Sequence, residues 1–337
     1  MKIEIVAGKR QDISKLVRNV IWSGSRTNVA RKLEIDFTQD DRDPQCPIME
    51  FDNGYTVIAY DENSIEFFQG NVYRYKRSRA DSNVHLVCFD HLHVLKASKL
   101  TKEYTNALPE DIAREICSTL GVQAGEIAET GVQVSFVANN KTGYQIIMMA
   151  YTEANKQNNK LYHLIMDSVK LNVIEKGTLI EGYVLDSRIN MMNSEYEESI
   201  EKIINQVALL DEQGNVTSYE RDEESIAKYS VFQTTLKTDP NKDMHEEVEA
   251  IFKNNKVERS GHITAIGDYR VVSSYSIQIT DGLFNGKFWV KQDTHTFSEG
   301  IHEMKLELEF ENEMNKEEIP EKKNDKTSKS DKRQRKN

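Results

Sequence analysis

Apolar and polar residues alternate along much of this chain, and the alternation is clearest in Leu283–Met314. It runs through residues 288–292, stops at Ser298-Glu299-Gly300 and resumes over residues 304–310. A period of two is that of a β-strand, and a glycine-bearing turn between two such runs is typical of a hairpin. The pattern therefore predicts a closing hairpin.

Residues 1–98 show the same period in shorter runs. Asp52-Asn53-Gly54 is a strong turn signal between two runs, and Ser23-Gly24-Ser25 is interpreted as another turn. Several short strands at this spacing favour a small barrel or sandwich. Strands are predicted at residues 3–7, 33–37, 55–60, 64–75 and 84–94.

Residues 99–174 mix strand and helix periods. Pro109, beside acidic residues, begins a helix that Gly121 ends, and a second helix begins at Thr142-Gly143. Residues 161–173 return to strand character. This part of the chain is predicted to be a mixed α+β domain.

Residues 175–315 are β-rich again. The pattern predicts a hairpin over residues 202–221 with its turn at Gly214, an inserted helix near 241–254 and a further strand at 262–279. We interpret this range as a second β domain, which makes the chain α+β but predominantly β.

Hydrophobic residues become rare after Asn315, so residues 316–337 are expected to be a disordered charged tail. This tail has nine Lys or Arg and five Asp or Glu, a net of +4, so the total of −11 leaves −15 for residues 1–315. An acidic body argues against a general nucleic-acid binder, whose surface must be basic to face phosphate.

The cysteines and the apolar runs bear on where the protein is made. Cys46, Cys88 and Cys117 are widely spaced, which disfavours a disulfide framework and favours a reducing compartment. No signal-like apolar segment lies at the start, and the longest apolar run is far shorter than the ~20 residues of a membrane span. We expect synthesis in the cytoplasm and no membrane anchor.

A first set of histidines invites a metal-binding interpretation. On a strand, His85, His91 and His93 would share one face, with Cys88 and Asp90 on the other. No CxxC or HExxH spacing accompanies them. Exposed strand histidines, or one histidine satisfied in a core, are the favoured explanation.

A second set flanks the closing turn, where His295 and His302 could approach each other with Asp293 nearby. Two histidines and a carboxylate can form a facial metal triad, but the strand alternation explains the segment without a metal. The sequence also lacks a phosphate loop and a nucleophile elbow. We therefore expect no catalytic residue, no metal site and no cofactor.

Two basic segments raise the question of a charged partner. Tyr73–Arg79 mixes aromatic and basic side chains as nucleic-acid platforms do, although a solvated strand end before a turn is the favoured interpretation. The basic tail could grip an acidic or phosphate partner, or only keep the chain soluble. Neither segment assigns a function by itself.

Four stretches, in this order, resemble the XkdQ/YqbQ family of tail proteins from contractile phages and phage-derived bacteriocins, which are relatives of late control protein D and of the VgrG hub region. The resemblance spans residues 1–314. The stretches are Trp22-Ser23-Gly24 with 30–35, Asp90 and Leu95 with 109–121, Ser225–Tyr229, and the closing segments 286–290, 293–296 and 300–304. Three positions depart from the family pattern: Ser230 and Ser274 replace glycine, and His93 replaces tyrosine.

The resemblance implies a structural tail or baseplate hub and not an enzyme. In such proteins two related β-barrel domains accompany a mixed section, and a homotrimer forms a pseudo-sixfold ring that adapts the sixfold inner tube to the threefold central spike. The implied partners are the tube, spike, tape-measure and baseplate wedge proteins, with DNA at most passing through the lumen. The implied location is an assembled phage tail or tailocin.

Two further expectations accompany this function. The charge of −15 over residues 1–315 suggests a lumen that repels phosphate. The alternative function is a tail-associated enzyme, either metal-dependent or glycan-cleaving, which would use His295, His302 or a carboxylate pair.

Overall fold

Strands dominate the computed structural model, which describes residues 1–239 and 243–319. They account for 49% of residues against 16% in helices, which confirms the predominantly β class. The chain divides into two compact units. Among the described residues, unit 1 contains 1–178, 296–301 and 313–319, and unit 2 contains 179–239, 243–295 and 302–312.

Unit 1 carries the predicted first β domain and the mixed section. Its elements are β1 (Lys2–Ala7), β2 (Lys9–Asp12), β3 (Val17–Ser25), β4 (Lys32–Thr38), β5 (Thr56–Tyr60), β6 (Glu66–Ser78), β7 (Asn83–Phe89), α1 (Leu92–Ala97), β8 (Lys99–Ala107), α2 (Pro109–Thr119), β9 (Gln123–Ile127), β10 (Val134–Thr142), α3 (Gly143–Asn158), β11 (Tyr162–Asp167) and β12 (Lys170–Glu175).

Seven strands of unit 1 form one antiparallel sheet in the order β3-β4-β7-β6-β5-β1-β2. Alternate residues of its strands are buried, as the period of two predicts. The predicted turn at Ser23-Gly24-Ser25 is wrong, since these residues continue β3. Within β3, a neighbouring arginine side chain occupies the space that a Cβ of residue 24 would need, which explains the glycine there.

The two predicted helices of the mixed section are confirmed as α2 and α3. Gly121 follows α2 with a φ of 68°, a left-handed conformation that favours glycine. Thr142 caps α3: its Oγ1 accepts the Gln145 N–H at 3.2 Å, and Gln145 Oε1 accepts the Thr142 N–H at 3.1 Å. The range 161–173 forms a hairpin of two strands, because Ser168 turns the chain between β11 and β12 with a φ of 53°.

Residues 313–319, which we call the strap, lie along α3 in unit 1. Met314 is 5% exposed and joins the core of the mixed section. Asn315 donates to the Tyr144 hydroxyl at 2.9 Å, and the N–H of Glu317 donates to Thr152 Oγ1 at 3.1 Å. The predicted tail therefore makes specific contacts over 316–319, and its residues 320–337 lie outside the described part.

Unit 2 carries the predicted second β domain. Its elements are β13 (Leu179–Asp186), β14 (Met191–Ser199), β15 (Gln206–Leu210), β16 (Val216–Arg221), α4 (Glu223–Tyr229), β17 (Gln233–Lys237), α5 (Met244–Asn254), β18 (Glu258–Ile266), β19 (Ser276–Thr280), β20 (Asn285–Ser298) and β21 (Ile301–Glu309).

The larger sheet of unit 2 has neighbours in the order β14-β18-β21-β20-β19-β13. The closing hairpin is confirmed as β20 and β21, and Glu299 and Gly300 turn between them with φ of 53° and 79°. Alternate residues of both strands are buried, and Met304, Leu306 and Leu308 belong to the core of this sheet.

An insertion between β14 and β18 forms a sheet of its own, in the order β16-β15-β17. The predicted hairpin is confirmed as β15 and β16, and α5 packs Val248 against Val207 and Leu209 of β15. Helix α4 and strand β17 were not predicted. Helix α4 has no buried residue, so no apolar period marks it in the sequence.

Candidate functional site

The closing hairpin brings His295 and His302 together, as the sequence analysis anticipated. His295 is fully buried on β20, and His302 is partly buried near the start of β21. The distance from His295 Nδ1 to His302 Nε2 is 3.0 Å. The other ring nitrogen of His295, Nε2, lies 3.0 Å from the backbone oxygen of Val271.

The partners of the two rings define their protonation. A carbonyl oxygen can only accept, so Nε2 of His295 carries a proton and donates to Val271. One further hydrogen bond joins Nδ1 of His295 to Nε2 of His302. Burial, and then the neighbouring His295, lower the pKa of His302 to about 3, while Asp268 opposes the shift. His302 is therefore neutral near pH 7.

The surrounding backbone makes room for this pair. A Cβ at Gly267 would lie 2.1 Å from Cδ2 of His302, so glycine is required there. Asp293 is fully buried, accepts the Ser273 N–H at 2.6 Å and lies 3.5 Å from His295 Nε2. We call Gly267, Asp293, His295 and His302 the histidine cluster.

This geometry suits hydrogen bonding better than metal binding. Both ring nitrogens of His295 have partners, one of them backbone, and Asp293 bonds to backbone as well. Throughout residues 1–239 and 243–319, no three His, Cys, Asp or Glu side chains are placed to share a metal ion. The cluster holds the closing hairpin to the segment that contains Val271.

The first histidine set is dispersed, because the predicted strand 84–94 is wrong in its second half, where β7 ends and α1 begins. His85 remains on β7 with Nδ1 2.9 Å from Asp36 Oδ1. His91 Nε2 donates to the Asn71 side-chain oxygen at 3.1 Å. The expected shared face of the three histidines does not exist.

His93 lies in α1 and packs as an aromatic ring. It stacks on Phe89 with ring centroids 4.5 Å apart, and Tyr73 contacts it edge-on at 4.6 Å. Burial, together with Lys96, lowers the pKa of His93, so its neutral form is favoured. The residue thus serves the packing role that a tyrosine would serve in its place.

Residues from the first two stretches of the resemblance meet in unit 1. The guanidinium carbon of Arg31 lies 3.9 Å from the centre of the Trp22 ring. A Cβ at Gly24 would lie 2.6 Å from Arg31 Nη1, so glycine permits this approach. Asp90 accepts the backbone N–H of Arg31 at 3.0 Å and that of Leu92 at 3.1 Å. The bond to Leu92 turns the chain from β7 into α1.

We call Trp22, Gly24, Arg31 and Asp90 the arginine–aspartate cluster. Asp90 is 2% exposed, and burial raises its pKa to about 7, while the N–H groups and charge of Arg31 oppose the shift. The four residues join β3, β4 and the start of α1 in unit 1. The histidine cluster and the arginine–aspartate cluster are therefore both structural: in each, hydrogen bonds connect a strand of the family pattern to a neighbouring segment.

The comparisons with known proteins agree with the order of these motifs. A family model described as YQBQ-like matches residues 20–309 of the chain. The chain belongs to the YQBQ-like family. The resemblance drawn from the four stretches is thereby confirmed.

This YQBQ-like chain is similar to a protein of a phage-like element and, in fold, to a solved tail protein. XkdQ of the phage-like element PBSX from Bacillus subtilis (strain 168) is 24% identical over 324 residues, which cover 93% of this chain and 98% of XkdQ. The 43 kDa tail protein of prophage MuSo2 from Shewanella oneidensis has a TM-score of 0.68 at 10% identity, with 92% of this chain and 98% of that chain covered.

A second similar structure is the E. coli c3393 protein, a component of the type VI secretion system with structural similarity to the T4 bacteriophage tail proteins gp27 and gp5. Its TM-score is 0.51 at 10% identity, with 87% of this chain and 73% of that chain covered. At these identities the two solved structures show a common fold. None of the described helices has the length and apolarity to cross a membrane.

Two departures from the family pattern have a structural consequence. Ser230 and Ser274, which stand where glycine is expected, have φ of 70° and 79°. Residues that carry a Cβ adopt this left-handed backbone conformation only at a cost in free energy, whereas glycine does not pay it. Ser274 is fully buried, and its Oγ has no hydrogen-bond partner among the described residues. The turns keep the glycine conformation although the glycines are absent.

Sequence reasoning missed a cavity of about 230 Å³ in the unit 2 insertion. Its apolar wall includes Ile204 and Phe252, and its rim carries Asp222, Lys228 and Lys256. These residues come from three separate stretches, so no local spacing marks the cavity in the sequence. Lys256 is bound to Glu311 at 2.6 Å, so this cation has an internal partner.

The aromatic and basic run Tyr73–Arg79 forms the second half of β6 and the turn after it. Tyr75 contacts Phe51 with ring centroids 5.3 Å apart, and Arg77 lies 3.5 Å from Asp41. Residues 73–77 are all exposed. The predicted strand end is confirmed, and its cations face outward.

Proposed function

We propose that this chain is a structural hub of the tail or baseplate of a contractile injection particle, either a phage tail or a tailocin. Membership of the YQBQ-like family carries this proposal. The relative XkdQ belongs to a phage-like element, and the MuSo2 structure is that of a tail protein. The likeness to a type VI secretion component places the same fold in another injection system.

The two β-rich units support a role as a symmetry adaptor. We propose barrel domains over 1–98 and 175–315 and a mixed domain over 99–174. Three copies, each with two such domains, would form a ring with six similar positions toward the tube and threefold symmetry toward the spike. Closing the ring would also cover strand edges, which otherwise invite non-specific pairing.

The partners follow from this position in the particle. We propose a homotrimer that contacts the inner tube protein, the central spike, the tape-measure protein and baseplate wedge components. DNA at most passes through the lumen, and residues 1–315 with a charge of −15 would repel it. We propose that the protein is made in the bacterial cytoplasm and incorporated into the particle there.

An enzymatic role has no observation in its favour. The histidine cluster is satisfied by hydrogen bonds within unit 2, and tail proteins stand among the relatives. We propose that binding free energy comes from large subunit interfaces rather than from a pocket.

Co-assembly tests the proposed hub. The full chain, produced together with the tube and spike proteins of its own particle, should copurify with both. Electron microscopy should show a ring with three copies of this chain between tube and spike. Copurification with neither protein, or a complex with a copy number other than three, would overturn the proposal.

A further inference from the structure

One exposed strand edge in unit 1 is basic. The pairing of β6 with β5 extends only to Asn71, and the backbone of Val72 is hydrogen-bonded to the residues just before β5. Beyond that point, Tyr73–Ser78 pair only with β7 among the described strands. Arg74 and Lys76 are exposed, and neither has an ionic partner in residues 1–239 or 243–319. Their spacing of two puts both cations on the same face of β6.

One exposed strand edge in unit 2 is acidic. Strand β14 ends its sheet and pairs only with β18 among the described strands. Its residues Glu195 and Glu197 are exposed and also share one face. Glu195 accepts only a neutral hydrogen bond, from Asn193 at 3.0 Å, and Glu197 has no ionic partner in the described ranges.

We propose that β6 of one copy pairs with β14 of a neighbouring copy, so that a sheet of unit 1 continues into a sheet of unit 2 across the contact. Edge strands carry backbone groups ready for such pairing. Arg74 and Lys76 would oppose Glu195 and Glu197, because both pairs have a spacing of two on one face. Opposite charges directly across a strand pair stabilise it, and like charges destabilise it.

The identity of the occupant follows from the charges of the open edges. A basic edge selects an acidic extended segment, and β14 offers Glu195 and Glu197, beside a third glutamate, Glu198, that is paired with Arg259 at 3.2 Å. Strand β16, another edge, has one Glu and one Arg, so it offers no such complement. A contact between two different surfaces of identical chains is head-to-tail, the kind that closes into a ring. The inference thus rests on the proposed hub and specifies its subunit contact.

Charge reversal on the full chain tests this contact. The variant Arg74→Glu/Lys76→Glu and the variant Glu195→Lys/Glu197→Lys should each weaken assembly about tenfold or more, since two favourable pairs become repulsive. The chain with all four substitutions should recover assembly. The matched control is Glu212→Lys/Glu220→Lys, which changes two exposed acids of the same unit and should assemble like the wild type.

Cross-linking locates the contact directly. A zero-length reagent that joins amines to carboxylates is applied to a mixture of isotope-labelled and unlabelled full chains, over a concentration series and with the tube protein present. We expect mixed-label links between Lys76 and Glu195 or Glu197. Assembly without these links, and without an effect of charge reversal, overturns the strand contact and leaves the hub standing. Absence of any assembly of the wild type overturns both.

Discussion

Individual side chains in this protein show how tightly its turns and polar clusters are determined. Gly24 and Gly267 are needed because the space of a Cβ is occupied, by Arg31 in one case and His302 in the other. Ser274 shows the reverse situation, a side chain in a conformation that suits glycine. These positions belong to the family pattern or touch it, so part of the pattern reflects backbone geometry.

Replacing Ser274 with glycine should stabilise the protein. The Ser274→Gly variant removes a left-handed strain of ~1–2 kcal/mol and a buried hydroxyl without a partner. Urea unfolding should show a higher free energy of unfolding. Ser274→Ala removes only the hydroxyl and serves as the control, and it should gain less. An equal gain for alanine and glycine would show that backbone strain is not the cause.

The histidine pair should make stability depend on pH. The pKa of His302 is about 3 in the folded chain and near 6.5 when unfolded. Folding therefore favours its neutral form, and the stability that His302 contributes is complete above pH 6.5 and lost as pH falls toward 3. His302→Phe should reduce this slope and cost ~1–3 kcal/mol at pH 7, because the buried Nδ1 of His295 loses its hydrogen-bond partner.

The measurement for His302 is urea unfolding between pH 7 and pH 4. The slope should shrink without vanishing, because burial also lowers the pKa of His163 in unit 1 to about 3. His262→Phe changes an exposed histidine of unit 2 and provides the control, which should keep the wild-type slope. An unchanged slope in His302→Phe would contradict the lowered pKa of His302 in the folded chain.

Whole elements show which parts of the chain fold from local signals. Helix α2 ends just before the predicted Gly121, α3 begins at the predicted Thr142-Gly143, and the closing hairpin turns at the predicted Gly300. Helix α4 and the strap have no recognisable pattern of apolar residues in the sequence. Helix α4 has no buried residue, and the strap has no regular secondary structure. Their positions depend on residues far away in the sequence, which no local period records.

Truncation separates the strap from the residues beyond it. A chain ending at Ile319 should keep the wild-type free energy of unfolding, because all strap contacts with α3 remain. A chain ending at Asn312 should lose ~2–3 kcal/mol or more, because it loses the buried Met314 and the bonds to Tyr144 and Thr152. Thermal unfolding followed by circular dichroism compares the three chains. Equal stability of all three would show that the strap contributes nothing.

The whole molecule combines an acidic body with a basic end. Residues 320–337 hold eight Lys or Arg and three Asp or Glu, a net of +5, so the total of −11 leaves −16 for residues 1–319. The chain divides into two units, and each unit has its own core. The net charge of the whole molecule determines whether it attracts or repels a charged polymer such as DNA.

The acidic body should not bind duplex DNA. A chain ending at Ile319 should show no measurable binding in fluorescence anisotropy near physiological salt, because a net charge of −16 repels phosphate. The full chain serves as the comparison, and any affinity it shows should fall steeply as salt rises. Salt-dependent binding by the shortened chain would reveal a basic surface strong enough to overcome the net charge.

The amino-acid sequence by itself determined the features that depend on neighbouring residues. Alternation predicted most strands, and Pro109 with Gly121 and the start at Thr142-Gly143 predicted two helices. The order of its motifs identified the family. These signals are local, since periodicity and capping involve residues within a few positions of one another.

Only the tertiary structure decided how distant segments meet. It ended β7 early, because Asp90 bonds to Arg31, 59 residues away, and to the first residue of α1. It also placed the strap on α3 and His295 against Val271. Such contacts depend on the path of the whole chain, and one sequence read locally does not contain that path.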